Sequence, residues 1–193
     1  KPNVDIYLDS TLDGAAILEF GFEHVCLATG SAWRRDGVSR QHVAPMPISE
    51  SAKVFTPDDI MSGALPSGHV VIYDDDHYYM GGVLAELLVS EGCQVTFVTP
   101  SAYVSDWTVN TLEQHVIHRR LAELGVKIVL NRGLTAIAED HVISNCVFTD
   151  TIERFECDAV VMVASKMENN GLYLDLKAHA TEWTEAGIKS VKL

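Results

Sequence analysis

Three consecutive aspartates and a histidine, Asp74–Asp76 and His77, form a concentrated set of groups that could do chemistry. They stand between an apolar run typical of a buried strand, His69–Tyr73, and a run with helical periodicity, Gly81–Glu91. In dinucleotide-binding proteins this junction carries G-x-G-x-x-G, because glycines allow a tight turn and let the pyrophosphate approach the helix N-terminus. Here Asp74 and Asp76 fall where the first two glycines belong, and the loop is about two residues too long.

The electrostatics of this loop are adverse to a phosphate. A carboxylate about 5 Å from a phosphate costs about 3 kcal/mol at an effective dielectric constant of about 20. That corresponds to roughly two decades of affinity. The end of the next strand, Val98–Ser101, has neither an acid for the ribose of NAD nor an arginine for the 2′-phosphate of NADP. We therefore predict that NAD(P) does not bind here.

The aspartates have a structural interpretation, which we prefer to a metal site. Carboxylates before a helix satisfy its free N–H groups and its dipole, so Asp74–Asp76 are predicted to cap the following helix. The three residues that follow, His77, Tyr78 and Tyr79, are predicted to pack into the vacated cleft; the alternative is a partner surface.

Other candidate groups are weaker. His115 and His118 are spaced for a metal but have no third ligand in view, so a solvated helix face is favoured. Trp33, Arg34 and Arg35 could meet an acidic partner or a phosphate, and a surface turn is the preferred interpretation. The four cysteines show no metal or CxxC spacing, and Cys26 is predicted to be a buried thiol. We expect no metal site.

Strand and helix patterns alternate along the chain. A strand-like run, Val4–Leu8, and a buried strand ending at Gly30 come first. A connection rich in proline and serine contains one short helix capped by Thr56. From His69 the patterns predict strand, helix, strand, helix (Val109–Leu124) and strand, then an antiparallel meander and the buried strand Asp158–Ala164. This order predicts an α/β fold with a Rossmann-like nucleotide-binding domain.

Composition limits the classes of partner. The 193 residues include 27 Asp+Glu against 14 Lys+Arg, which gives a formal net charge of −13. This balance argues against nucleic acid and anionic membrane surfaces. No run approaches the ~20 apolar residues of a membrane span, and the N-terminus lacks a leader pattern, so we expect a cytoplasmic protein. The strand-like ends predict a piece of a longer protein.

The sequence resembles a known group at three segments: Leu27–Gly37, Val54–Gly63 and Val70–Met80. They are similar to the C-terminal part of the trimethylamine, dimethylamine and histamine dehydrogenases, in which a nucleotide-type domain is inserted within an FAD- or ADP-binding domain. The resemblance implies a three-layer Rossmann-like domain over residues 69–165, with the small meander. It implies a partial FAD/ADP-binding domain over 1–32 and 166–193, and a linker over 33–68.

The same resemblance implies a function and a site. Leu12, Ala28, Thr29 and Gly30 would approach FAD or ADP in a partial site; alternatively, Gly30 serves only to turn a buried strand. FMN and a [4Fe–4S] cluster would belong to an N-terminal barrel of the same polypeptide, so no catalytic residue is expected here and the chain alone is expected to be inactive. Electrons would leave to an electron-transfer flavoprotein, with the NAD-like domain vestigial. Two alternatives are an NAD(P)H-dependent reductase of the dienoyl-CoA-reductase type and a non-catalytic binding module.

Overall fold

The computed structural model describes residues 3–149 and 151–193 and divides the chain into two compact units. The terminal unit consists of Lys1–Ala32 and Glu168–Leu193, and the central unit consists of Trp33–Met167. Lys1, Pro2 and Asp150, which fall within the predicted ranges 1–32 and 69–165, lie outside the described residues.

The secondary structure is mixed α/β. The helices are α1 (Gly14–Phe20), α2 (Pro57–Met61), α3 (Tyr79–Ser90), α4 (Gln114–Glu123), α5 (Gly171–Ala178) and a 3₁₀ helix, Asp106–Thr111. The strands are β1 (His24–Cys26), β2 (Ser31–Trp33), β3 (Val54–Phe55), β4 (His69–Asp74), β5 (Gln94–Val98), β6 (Lys127–Val129), β7 (Arg132–Ile137), β8 (His141–Cys146), β9 (Ile152–Glu156), β10 (Ala159–Val163), β11 (Lys166–Glu168) and β12 (Ser190–Lys192).

A parallel sheet of five strands, in the order β3-β10-β4-β5-β6, organises the central unit. All of β10 and five of the six residues of β4 are buried. Strands covered on both faces read as continuous apolar runs, which is why the sequence predicted them well. The α/β class with a parallel sheet and an antiparallel meander is confirmed.

Different elements cover the two faces of this sheet. On one face, side chains of α3 and α4 such as Leu84 and Leu121 join a core with Phe97 of β5. On the other face, the antiparallel sheet β7-β8-β9 contributes Leu134 and Phe155 to a second core. The central unit therefore has three layers: helices, parallel sheet and meander.

The predicted helix Val109–Leu124 is wrong in its first part. A 3₁₀ helix occupies the start of this range, and Leu112 then takes a left-handed conformation with φ +64°, which no α-helix can contain. The helix α4 begins only at Gln114. Periodicity alone did not reveal this break, because no glycine or proline marks it.

The segment 33–68, predicted as a linker, contributes ordered elements to the central unit. β3 pairs with β10 as an edge strand of the sheet. The predicted short helix is confirmed as α2: the Thr56 side chain accepts from the Asp59 N–H, and Asp59 Oδ2 accepts from the Thr56 N–H in return, which is a capping box. Pro57 stands at its first position.

The terminal unit is smaller and more open. Its β1 and β12 pair in parallel, and α1 packs against α5. The helix α1 was missed by sequence reasoning, although Asp13 is a standard cap whose carboxylate accepts from the Ala16 N–H at 2.9 Å. The predicted strand Val4–Leu8 is wrong: these residues are exposed and form no regular strand.

Across the described residues, no helix is both long and apolar enough to cross a membrane.

Candidate functional sites

An open groove of about 710 Å³ lies within the terminal unit. Its walls come from the N-terminal segment, α1, β1 and the residues that follow β1. Of the four residues predicted to approach a nucleotide, Leu12, Ala28 and Thr29 line this groove, and Gly30 does not. The structure thus brings together three residues that lie up to 17 positions apart in the sequence.

The Ala28–Gly30 turn is held by Asn169. Thr29 Oγ1 donates to the Asn169 carbonyl at 2.6 Å, the Asn169 amide donates to the Thr29 carbonyl at 3.1 Å, and the Asn169 N–H donates to the Gly30 carbonyl at 2.9 Å. Gly30 has φ +73°, a conformation that L side chains rarely adopt. Gly30 is therefore needed for the conformation of the turn, and the hydroxyl of Thr29 is already hydrogen-bonded to Asn169.

Aromatic side chains that sequence reasoning missed line the same groove. The Phe20 ring stacks on Phe22 with centroids 5.7 Å apart, and Tyr7 lies 6.5 Å from Phe20 in a tilted arrangement. Phe22 is 62% exposed and Tyr7 is 73% exposed. Exposed aromatic rings in a concave surface are suited to contact a planar or apolar group. The mostly apolar segment from Val4 to Leu8 was the available signal.

The N-terminus of α1, beside this groove, has its own carboxylates. Asp175 Oδ2 accepts from the Gly14 N–H at 2.7 Å, and Asp13 accepts from Ala16. Two carboxylates at a seven-residue helix exclude a phosphate from that end by repulsion. The groove can therefore hold an aromatic base, but α1 supplies no phosphate subsite.

A second region, the crevice at the carboxyl ends of β4, β5 and β10, is closed by the central unit's own residues. Asp75 is 1% exposed, and its Oδ2 accepts from the Gln41 N–H at 2.9 Å. Its Oδ1 lies 3.0 Å from His77 Nε2. Its backbone N–H donates to the Val163 carbonyl at the end of β10. Asp75 therefore ties three parts of the chain together where an open α/β sheet commonly binds ligands.

His77 completes this closure. It has φ +64°, and its carbonyl accepts from the Trp107 N–H of the 3₁₀ helix at 3.0 Å. The ring atom Nδ1 of His77 lies 3.4 Å from the Thr99 hydroxyl, and the backbone N–H of His77 donates to Asp74 Oδ1 at 3.2 Å. Since the hydroxyl of Thr99 is fully buried, this Asp–His–Thr arrangement has no accessible nucleophile. The arrangement is structural.

Two neighbouring carboxyls in this crevice have opposite pKa shifts. Burial raises the pKa of Asp74 to about 7. Burial also acts to raise the pKa of Asp75, but hydrogen bonds from His77, Ser39 and Gln41 outweigh it and hold that pKa below its usual range. Burial raises the pKa of Tyr73 as well, so its phenol stays neutral.

The predicted capping role of Asp74–Asp76 is wrong. The N-cap of α3 is Tyr78, and no side chain caps it. The carboxylates face the loop and the sheet instead, because the β4 strand continues through Asp74 and turns its side chain inward. Tyr78 and Tyr79 do not cover the crevice either: Tyr78 is 41% exposed, and the Tyr79 hydroxyl bonds to Glu113 and Thr111. Gln41 of the predicted linker bonds to Asp75 there instead.

The remaining candidates are used by the fold. Trp33 is buried, contrary to the predicted surface turn, with Lys166 Nζ 4.3 Å from its ring centre. Arg34 and Arg35 bond to Asp36 and Asp59. His115 is exposed on α4, and the described residues contain no group of three or more His, Cys, Asp or Glu arranged to hold a metal.

The prediction for Cys26 is also wrong. This residue is exposed and lines the groove of the terminal unit.

These features agree with a family model. Residues 55–170 match the model described as "OYE-like second alpha/beta domain". The match spans more than half of the chain, so the chain belongs to this family.

Individual relatives define the group more narrowly. Histamine dehydrogenase from Rhizobium sp. 4-9 has 58% sequence identity and a TM-score of 0.94, over 98% of this chain and 30% of that one. The structure of 6-hydroxypseudooxynicotine amine oxidase from Pseudomonas geniculata N1 has 36% identity and a TM-score of 0.90, over 100% and 28%. Dimethylamine dehydrogenase from Hyphomicrobium sp. (strain x) is 29% identical over 91% of this chain. The resemblance to the trimethylamine, dimethylamine and histamine dehydrogenase group is confirmed.

The lengths of these relatives matter for function. The chain spans 26% of the dimethylamine dehydrogenase and 30% of the histamine dehydrogenase chain. The activities in their names belong to much longer polypeptides.

Proposed function

We propose that this chain is the C-terminal α/β part of a flavin- and iron–sulfur-dependent amine dehydrogenase of the trimethylamine-dehydrogenase type. The names of the relatives, two dehydrogenases and an amine oxidase, support the reaction class. The barrel with FMN and the [4Fe–4S] cluster would precede this chain in the same cytoplasmic polypeptide, and electrons would leave to an electron-transfer flavoprotein. The chain alone then oxidises no amine.

In this proposal the partial FAD/ADP-binding domain predicted over residues 1–32 and 166–193, which corresponds to the terminal unit but for residues 166 and 167, forms part of an adenine-nucleotide site. The observation that carries it is the groove itself, which combines Leu12, Ala28 and Thr29 with the rings of Tyr7 and Phe20. Apolar and aromatic walls fit the base of FAD or ADP. Gly30 supports the site by shaping the turn. The carboxylates at α1 do not fit the phosphates, so this chain supplies the base-binding part only.

The central unit, residues 33–167, has in this proposal a Rossmann-like fold over residues 69–165 without its nucleotide. Support comes from the closed crevice: Asp75, Gln41 and His77 occupy the carboxyl ends of the strands. A dinucleotide would have to displace these bonds and approach Asp74–Asp76. The reductase alternative requires NAD(P)H in that crevice and is disfavoured for this reason.

Titration calorimetry of the chain with ADP and with NADH tests the two sites together. We expect saturable ADP binding, weakened about tenfold or more by Leu12→Asp, which places a charge in the groove. Leu65→Asp is the matched control, since Leu65 is 41% exposed and Leu12 is 38% exposed but Leu65 lies outside the groove. NADH should show no binding tighter than millimolar.

Each contrary result removes one part of the proposal. Absence of ADP binding, or ADP binding indifferent to Leu12→Asp, would exclude the nucleotide site of the terminal unit. Micromolar NADH binding would favour the NAD(P)H-dependent reductase over the amine dehydrogenase. Turnover of an amine with a dye acceptor by the chain alone would exclude its dependence on a barrel.

A further inference from the structure

Asp74 is a fully buried carboxyl group with one free oxygen. It lies at the carboxyl end of β4 at 0% exposure. Oδ1 accepts the His77 N–H at 3.2 Å, whereas Oδ2 has no hydrogen-bond partner in the described residues. Buried polar atoms are almost always paired, so this exception requires an explanation.

The first turn of α3 presses directly on this carboxyl. A Cβ placed on Gly81 would lie 2.9 Å from Asp74 Cγ and 3.0 Å from the Phe97 ring. Glycine is therefore required at this position for the helix to approach β4. The contact surrounds Asp74 with an aromatic ring and helix backbone, and a charge in such a place is costly to bury.

His77 offsets part of the cost of a charge on Asp74, through coulombic attraction and its backbone N–H, but burial outweighs it and keeps the pKa of Asp74 raised. The titratable groups that bear on it are His77, Asp75 and Asp76, all in its own loop. The His77 Nε2 atom faces Asp75 rather than Asp74. The negative charges of Asp75 and Asp76 repel a negative charge on Asp74.

The packed elements add no cation. Phe97 of β5 and the Gly81 and Gly82 turn of α3 present apolar or backbone atoms, and the phenol of Tyr73 is neutral. The side chain of Arg40 stacks on Trp107, 4.1 Å from its ring centre. The neutral acid is the form that fits this environment.

We propose that Asp74 is a protonated carboxylic acid in the folded protein below neutral pH, and that its ionisation loosens the junction of β4 and α3. The same loop carries Asp75 and His77, which hold the crevice closed. The central unit is thereby a proton-responsive element, with the closed crevice favoured at lower pH. This inference does not depend on the amine dehydrogenase assignment.

The direction of the effect follows from linkage. The pKa of Asp74 is 3.8 in the unfolded chain and is raised to about 7 by burial in the folded chain. The folded state keeps a proton that the unfolded state releases above pH 3.8, so this contribution to stability is complete at low pH. It decreases as the pH rises toward 7 and is absent above that.

Chemical denaturation of the wild-type chain and Asp74→Asn at pH 5 and pH 8 tests the proposal. The amide imitates the neutral acid but releases no proton on unfolding. At pH 5, already above the unfolded pKa of 3.8, we therefore expect its unfolding equilibrium constant to be about tenfold smaller than that of wild type. At pH 8, above the folded pKa of about 7, the difference should be at least about a hundredfold. Asp76→Asn, in the same loop but only partly buried, should show no such gain.

Two further measurements keep the test decisive if Asp74→Asn does not fold. Infrared spectra of the wild-type chain should show a protonated carboxyl C=O band that disappears with a midpoint near pH 7. Hydrogen exchange of residues 74–82, corrected for intrinsic rates, should be at least tenfold faster at pH 8 than at pH 5. A chain whose carboxyls are all ionised by pH 6, or an Asp74→Asn variant less stable than wild type at pH 8, would overturn the proposal.

Discussion

The groove of the terminal unit and the crevice of the central unit are both candidate nucleotide-binding concavities, and they differ in what fills them. The groove exposes Tyr7, Phe20 and Phe22 to solvent. The crevice is closed by Asp75, Gln41 and His77 through bonds within the chain. An open apolar concavity retains the capacity to bind, whereas a concavity closed by its own polar side chains must break those bonds first.

The largest expected contrast concerns two phenylalanines. Phe97→Ala removes a 0% exposed ring beneath α3 and should reduce the free energy of unfolding by about 3–5 kcal/mol. Phe22→Ala removes a 62% exposed ring of the groove and should cost less than about 1 kcal/mol. Urea denaturation followed by two probes measures both. Equal losses would contradict the distinction between an open and a closed site.

The second contrast tests whether Asp75 holds the crevice closed. Asp75→Asn weakens its contact with His77 and should cost about 1–3 kcal/mol at pH 7. Its pKa is lowered below 3.8 in the folded chain, so its stabilising contribution is present above the unfolded value and is lost as pH falls through the folded value.

Acid titration monitored by circular dichroism should therefore give a shallower low-pH loss of stability in Asp75→Asn than in wild type. The sign is opposite to that of Asp74→Asn, whose gain in stability over wild type grows as the pH rises from 3.8 to about 7. Identical acid limbs in the variant and the wild-type chain would show that Asp75 does not hold the crevice closed.

The smallest contrast concerns two glycines near the groove. Gly30→Ala forces a side chain into φ +73° and should cost about 1–2 kcal/mol, although no atom lies within 4 Å of the new Cβ. Gly171→Ala, at the start of α5 with the same open space and no positive φ, should be neutral or stabilising by up to about 1 kcal/mol. Thermal unfolding compares them; equal effects would contradict the need for glycine in the Ala28–Gly30 turn.

Much of the central unit could be read from the sequence. The strands β4, β5 and β10 are buried on both faces and were visible as apolar runs, and α2 was visible from Thr56, Pro57 and Asp59. The helix α3 was predicted within two residues of its observed start from Val83, Leu84, Leu87 and Leu88, of which Leu84 and Leu88 are buried and the other two are exposed. These signals are local, because burial and capping act over a few residues.

Only the tertiary structure determines the partners and the protonation of the charged groups. Nothing local distinguishes Asp74 from Asp75, yet one carboxyl is held neutral beneath Gly81 and the other is held ionised by Gln41, 34 positions away. Similarly, Asn169 reaches the Thr29 turn across 140 positions. The sequence by itself determined which segments are strands and helices, since short-range periodicity encodes burial. Which polar atoms meet across the fold, and so which sites are open or closed, depends on long-range packing that no local pattern records.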